Sequence, residues 1–283
     1  MFKLNSYNYD HFTHEIMLKY YPKIQLVSLY IIFLSFGTFV KANLISYNSE
    51  YEIELGKSDE VRLPGKTYVD SASGQLFIDW INVCDNSWVS NQRMMTRFVN
   101  SFGVGTVSEI NYSINENSMS SEMDFVLEIK ENSELQKRII GNAKINGNLI
   151  VKFPESELPD LNFSNDIIFP HKLLDEITKN IKKKNPGIIV MKVYEGTIPE
   201  KFFNISIFFT DEFSKEKNVP NEITNNFRKI RMSYYQDNES TPIFEQTIKL
   251  NEQGLASYFK YDYPEYSLVL KLKKVKTVKL DCN

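Results

Sequence analysis

From Tyr47 onward the chain reads as short runs of Ile, Val, Phe and Tyr broken by Asn, Gly, Ser and Pro. Met123, Phe125, Leu127 and Ile129 interleave with Glu122, Asp124, Glu128 and Lys130. That spacing predicts an extended segment with one buried and one wet face. Ile145, Leu149, Val151 and Phe153 follow across Asn146-Gly147-Asn148, a turn signal. Phe203, Ile205, Ile207 and Phe209 repeat the alternation, as do Phe244, Ile248 and Leu250 against Glu245, Thr247 and Lys249. Asn251 to Gly254 predicts a turn into a further strand from Leu255 to Tyr261. The rhythm is that of an antiparallel sheet, and the fold class is mainly β.

Two runs break the alternation. Leu76, Phe77, Ile78, Trp80 and Ile81 are apolar on both faces, as are Ile188 to Val193, and such strands are expected to be covered on both sides. A sheet mixing both kinds curls over itself or carries something on its inner face. One helix is available for that role, at about 170–184. Pro170 suits its first turn, while Leu173, Leu174, Ile177 and Ile181 form one apolar face. Lys182 to Lys184 suit its C-terminal end, and Asn185-Pro186-Gly187 stops it.

With 42% hydrophobic and 13% aromatic residues, the 283-residue chain has ample material for a core. No low-complexity linker or fixed-period repeat divides it, and the polar stretch Asp211 to Asn226 reads as a loop. Net charge is -3 overall and -5 without the first 42 residues. A mildly acidic domain is a poor partner for nucleic acid.

Ile24 to Val40 is an uncharged apolar run of 17 residues, preceded by Lys19 and Lys23 and followed by Val40-Lys41-Ala42, a small-x-small cleavage pattern. It falls short of the roughly 20 residues that a spanning helix needs. The expectation is a signal peptide, residues 1–42, cut after Ala42, with a single domain at 43–283. Membrane contact is then expected only through that segment before cleavage. The polar stretch before Met17, with His11 and His14, reads as a long n-region or a misplaced start at Met1 rather than a metal site.

Cys84 and Cys282 are the only cysteines, and in an exported chain an even pair reads as a disulfide. Such a bond would close a loop of about 200 residues and stabilise the fold by about 5 kcal/mol in the chain-entropy model. No metal or cofactor is expected.

Catalytic patterns are sparse. His171 is the only histidine beyond residue 42, it begins the helix, and no Gly-x-Ser-x-Gly elbow accompanies it. It reads as a surface residue at a helix start. The glycines of Phe102-Gly-Val-Gly-Thr-Val-Ser108 lie between two β-patterned runs, which suits a hairpin turn rather than a phosphate loop. A glycosidase-type carboxylate pair cannot be chosen without a groove. The Asn-x-Ser sequons at Asn111, Asn162, Asn204 and Asn238 carry no weight in a chain so rich in Asn and Ser. The expectation is therefore a protein that is not an enzyme. The densest stretch runs from Cys84 to Arg93, where Trp88, Gln92 and Arg93 form a possible binding surface. The alternative is that Trp88 packs beside the disulfide and Arg93 or Arg97 pairs with a carboxylate.

Tyr51-Glu-Ile-Glu-Leu55, Ser73-Gly74, Cys84-Asp85 with Trp88 and Gln92-Arg93, Phe169-Pro170, Val193-Tyr194-Glu195-Gly196 and Cys282 occur in an order and spacing that resembles the EipB family of cell-envelope integrity proteins of Alphaproteobacteria. Where that family reads a single Gly after Cys-Asp/Glu, this chain has Asn86-Ser87. The resemblance implies a periplasmic protein of long antiparallel strands that spiral into an open, barrel-like sheet, shaped like the lipoprotein carriers LolA and LolB. It also implies one helix, a Cys84–Cys282 disulfide and a role in envelope integrity without known catalysis.

Three functions are then weighed. The first is a non-enzymatic periplasmic scaffold or protein-binding module with a protein partner. The second is a carrier that shelters a lipid or lipoprotein acyl chain in the curved sheet, for which Trp80, Phe203 and Tyr234 would supply walls. The third is an envelope hydrolase. A continuous apolar cavity of about 300 Å³ or more favours the carrier, and a lumen filled by the helix or side chains counts against it.

Overall fold

The computed structural model describes residues 44–57, 67–84, 87–119, 121–164, 166–184, 186–217, 219–236 and 239–280. The expected signal peptide, its cleavage site and Cys282 lie outside the described residues.

Eight strands follow one another as antiparallel neighbours: β1 (Tyr47–Leu55), β2 (Val69–Asn82), β3 (Ser87–Asn100), β4 (Gly105–Asn117), β5 (Glu122–Glu131), β6 (Glu134–Asn146), β7 (Asn148–Lys152) and β8 (Leu161–Phe163). After β9 (Ile167–Ile168) comes the helix α1 (Pro170–Lys183). Six strands complete the chain: β10 (Gly187–Val193), β11 (Phe203–Ser214), β12 (Phe227–Gln236), β13 (Phe244–Leu250), β14 (Ala256–Asp262) and β15 (Ser267–Thr277). Spatial order is β8 to β1, then β15 back to β9, in one sheet of 15 strands. The chain thus starts in the middle, walks to one edge, crosses to the other and returns to lay β15 against β1. Only the short β9–β10 pair is parallel.

That order forces the sheet to curl. A flat sheet of fifteen strands at the usual spacing would be ~67 Å wide. Yet the chain leaves β8 at Phe163 and enters β9 at Ile167 on the opposite edge, a reach of at most ~14 Å. The two edges are therefore brought together, and aromatic rings close the seam. Phe163 meets Tyr194 at 6.0 Å and Phe202 at 5.6 Å, and Phe125 meets Tyr194 at 5.9 Å. The result is a curved, open, barrel-like sheet with its apolar side turned inward.

Alternation decides which residues point inward. Met123, Phe125 and Leu127 on β5 are buried while Asp124 is exposed, and Ile205, Ile207 and Phe209 on β11 repeat the pattern. The strands that looked covered on both faces are not. Phe77 on β2 and Ile188 and Val190 on β10 face outward and are 41%, 65% and 70% exposed. No second layer lies outside the sheet among the described residues, so only the concave face is dry. Asp211 to Ser214, read as loop, prolong β11 by pairing with β12 beyond a register shift.

Helix α1 lies where its sequence places it. Leu173, Ile177 and Ile181 are buried and Lys182 and Lys183 close its last turn. Lys184, with φ 56°, ends it in the left-handed conformation. Phe169 at the N-cap offers no side-chain acceptor. Instead Glu116 on β4 reaches across, its Oε2 accepting from the His171 N–H at 2.8 Å. Near the other end the fully buried Arg228 donates from Nη1 to the Asn180 carbonyl (3.2 Å) and from Nε to the Thr210 carbonyl (2.7 Å). An anion at the N-terminus and a cation near the C-terminus both suit the helix dipole.

Candidate functional site

The curled sheet and α1 line a cavity of about 490 Å³ that opens to solvent. The strands contribute Leu76, Ile78, Met94, Ile110, Leu127, Phe203, Met232, Ile248 and Phe259, and the helix contributes Pro170, Leu173, Leu174 and Ile177. The helix therefore forms a wall and does not fill the space. Trp80, Phe203 and Tyr234, the aromatics expected to line a carrier, all face this cavity.

One group of its polar residues centres on Glu195. Tyr234 Oη donates to Gln246 Oε1 at 3.1 Å, and Tyr261 also bonds the Gln246 side chain. Tyr112 Oη donates to the main-chain carbonyl of Glu195. Glu195 is the one charged residue among those lining the cavity, and its carboxyl has no hydrogen-bond or ion-pair partner among the described residues. Removal from bulk water pushes that carboxyl up to about 7. It interacts electrostatically with Tyr112, Tyr234 and Tyr261, whose phenols are likewise raised by burial.

Glu195 owes its position to an irregular stretch after β10. Tyr194 Oη donates to the Pro199 carbonyl at 3.0 Å and its N–H to the Ile168 carbonyl at 3.0 Å. Gly196 has φ +74°, and a Cβ there would lie 2.6 Å from the Phe125 ring. Only glycine meets both conditions. Phe125 lies closer still to Gly141, so its ring occupies the space two missing side chains leave.

A second cluster sits at the N-terminus of α1. The His171 ring stacks on Trp88 at 5.0 Å and lies 6.2 Å from Trp80, while the two indoles are 5.4 Å apart. His171 is thus packed against two indoles with a side chain 16% exposed, not the surface residue expected. Burial lowers its pKa to about 4, so the ring is neutral near pH 7. Glu116, only 3% exposed, is raised by burial to about 7 despite accepting N–H groups of His171 and Lys172. Ser118 Oγ is 3.2 Å and Glu116 Oε1 3.9 Å from the same ring nitrogen, Nδ1. A proton relay needs serine and carboxylate on opposite nitrogens, so this serine, histidine and glutamate do not form a hydrolase triad.

The sequence-predicted surface divides by strand parity. Trp88 and Gln92 point inward from β3, Trp88 to the indole pair and Gln92 to the cavity, where its Nε2 lies 3.5 Å from Ser90 Oγ. Arg93 points outward and pairs with Glu109 at 3.3 Å. The three residues do not share one surface. Cys84 lies two residues past the end of β2. Glu116 and Glu195 escaped sequence reasoning as site residues; the available signal was a lone carboxylate at the end of an apolar run and before a glycine, in Val193-Tyr194-Glu195-Gly196.

The fold is that of a barrel-like protein with one helix among the described residues. The EipB-like family model matches residues 40–279, and the chain belongs to that family. Its fold is similar to the crystal structure of a beta-barrel-like protein of domain of unknown function DUF1849 from Brucella abortus, with TM-score 0.75 and 17% identity over 84% of this chain and 99% of that one. No curated protein sequence matches it significantly.

Proposed function

We propose that this protein is a non-enzymatic carrier that holds an elongated apolar molecule, such as a lipid or lipoprotein acyl chain, in its concave face and thereby serves envelope integrity. The observation that carries this reading is the cavity of about 490 Å³, which lies within the ~300–1,000 Å³ of ligand sites. Saturating fluorescence enhancement of a neutral apolar dye such as N-phenyl-naphthylamine on delipidated protein tests it. Loss of that signal on narrowing the cavity with Thr197→Trp supports the site, and an absence of saturable binding to the native protein refutes it.

The scaffold reading keeps one observation of its own. Ile188 and Val190, with Phe208 directly opposite Ile188 on β11, form an exposed apolar strip outside the sheet that a protein partner would cover.

Export to the periplasm and the Cys84–Cys282 bond belong to the same proposal. What supports the bond is the meeting of the two chain segments at Ser46, whose Oγ accepts from the Asn82 N–H at 2.8 Å and whose carbonyl accepts from the Val278 N–H at 2.9 Å. Cys84 follows Asn82 by two residues and Cys282 follows Val278 by four.

A further inference from the structure

An apolar cavity says that a chain is bound; its polar corner says what ends that chain. Resting on the carrier reading, we propose that the cavity selects a cationic amphiphile, whose ammonium group sits against the Glu195 carboxyl among the rings of Tyr112, Tyr234 and Tyr261.

Three observations lead there. Glu195 lines the cavity, its carboxyl lies within electrostatic reach of the lining residues Tyr112, Tyr234 and Tyr261 and is unpartnered among the described residues, and a buried ionisable group without a partner is destabilising unless a ligand supplies one. Among the described residues no Lys, Arg or His lines the cavity, so a phosphate or carboxylate head group would find no countercharge there and would face Glu195 itself. The groups around Glu195 are aromatic. The phenols of Tyr112 on β4, Tyr234 on β12 and Tyr261 on β14 interact with it. Phe244 stacks on Tyr234 at 4.2 Å, and Tyr263 lies 6.5 Å from Tyr261. Aromatic faces beside one carboxylate are the surroundings that recognise an organic cation. An alcohol would accept or donate one hydrogen bond there and leave the charge uncompensated.

The phenols facing Glu195 stay neutral because burial raises all three. Glu195 is therefore, of the described titratable groups lining the cavity, the one whose charge changes near neutral pH, while Glu116, also raised to about 7, lies outside that lining; a proton competes with the ammonium for Glu195.

The test is calorimetric titration of full-length mature protein at pH 8 with decyltrimethylammonium, decanol and decanoate below their micelle concentrations. A charge-assisted contact corresponds to at least about a tenfold preference, so decyltrimethylammonium should bind at least tenfold tighter than decanol, with decanoate weakest. Glu195→Gln should lose that preference, binding decyltrimethylammonium and decanol within about threefold of each other. On the native protein, lowering the pH from 8 to 6 should weaken decyltrimethylammonium by about tenfold and leave decanol unchanged, since the carboxyl protonates at about 7. Equal binding of decanol and the ammonium, tighter decanoate, or a pH-independent preference overturns the cation proposal while leaving the carrier standing. Failure of all three probes to bind the native protein overturns both.

Discussion

Replacing Glu116 by Gln separates a buried charge from the hydrogen bond it makes. Glu116 is 3% exposed and its carboxyl is raised by burial from 4.5 to about 7, although two helix N–H groups already favour the charged form. An acid whose folded pKa lies above its unfolded value binds more protons when folded. Its contribution to stability is therefore fully present below about 4.5 and is lost as pH rises through about 7. The full shift is worth at most ~3.5 kcal/mol, since each unit corresponds to about 1.4 kcal/mol. Gln keeps a carbonyl oxygen to accept the His171 N–H and does not titrate. Denaturant unfolding of native and Glu116→Gln protein from pH 5 to 8.5 should show the variant gaining about 1–3 kcal/mol relative to native protein over that range. In melting temperature this is roughly 2–12 °C for a domain of this size. His171, lowered to about 4, acts in the opposite sense and loses stability as pH falls from about 6.5 toward 4, but it is present in both proteins and cancels in the difference. A pH-independent difference, or a variant that weakens progressively with rising pH, would show that the helix N–H groups outweigh desolvation and would refute the reasoning.

Other outcomes follow from packing. Cys84→Ser or Cys282→Ser should lower the melting temperature under non-reducing conditions by an amount corresponding to at most about 5 kcal/mol and expose the C-terminal strand to protease; an unchanged melting temperature in denaturation scans removes the structural role of the bond. Gly196→Ala should destabilise by about 2–4 kcal/mol through its positive φ and its collision with Phe125, as read by chemical denaturation. Arg93→Ala should change stability by less than about 1 kcal/mol, because its pair with Glu109 lies on the wet face.

Local rules made much of the fold readable. Asn251 to Gly254 and Asn146 to Asn148 turn where their residue types require, β13 spans the Phe244–Leu250 run that alternation marked, and Pro170 and the lysines bracket α1. Periodicity misled where a strand is apolar throughout. Nothing local distinguishes Ile188, which faces water, from Ile189, which turns inward; only the curvature of the whole sheet decides. The seam between Phe163 and Tyr194 and the capping of α1 by Glu116 join residues distant in sequence, and their pattern carries no trace along the chain. The cavity is likewise a property of closure. Trp80, Phe203 and Tyr234 could be guessed as walls because large aromatics dominate dry surfaces. Glu195 could not, because a carboxylate beside a glycine usually marks a solvated turn. Its role depends on Tyr112, 83 positions earlier, holding its carbonyl.

Native mass spectrometry with lipid extraction, on mature protein purified without detergent from its own cell envelope, tests the central claim that the concave face carries an apolar ligand. The account predicts a co-purifying amphiphile at near one-to-one ratio, displaced by decyltrimethylammonium and absent from Thr197→Trp; a bare protein, or one bound only to another protein, would contradict it.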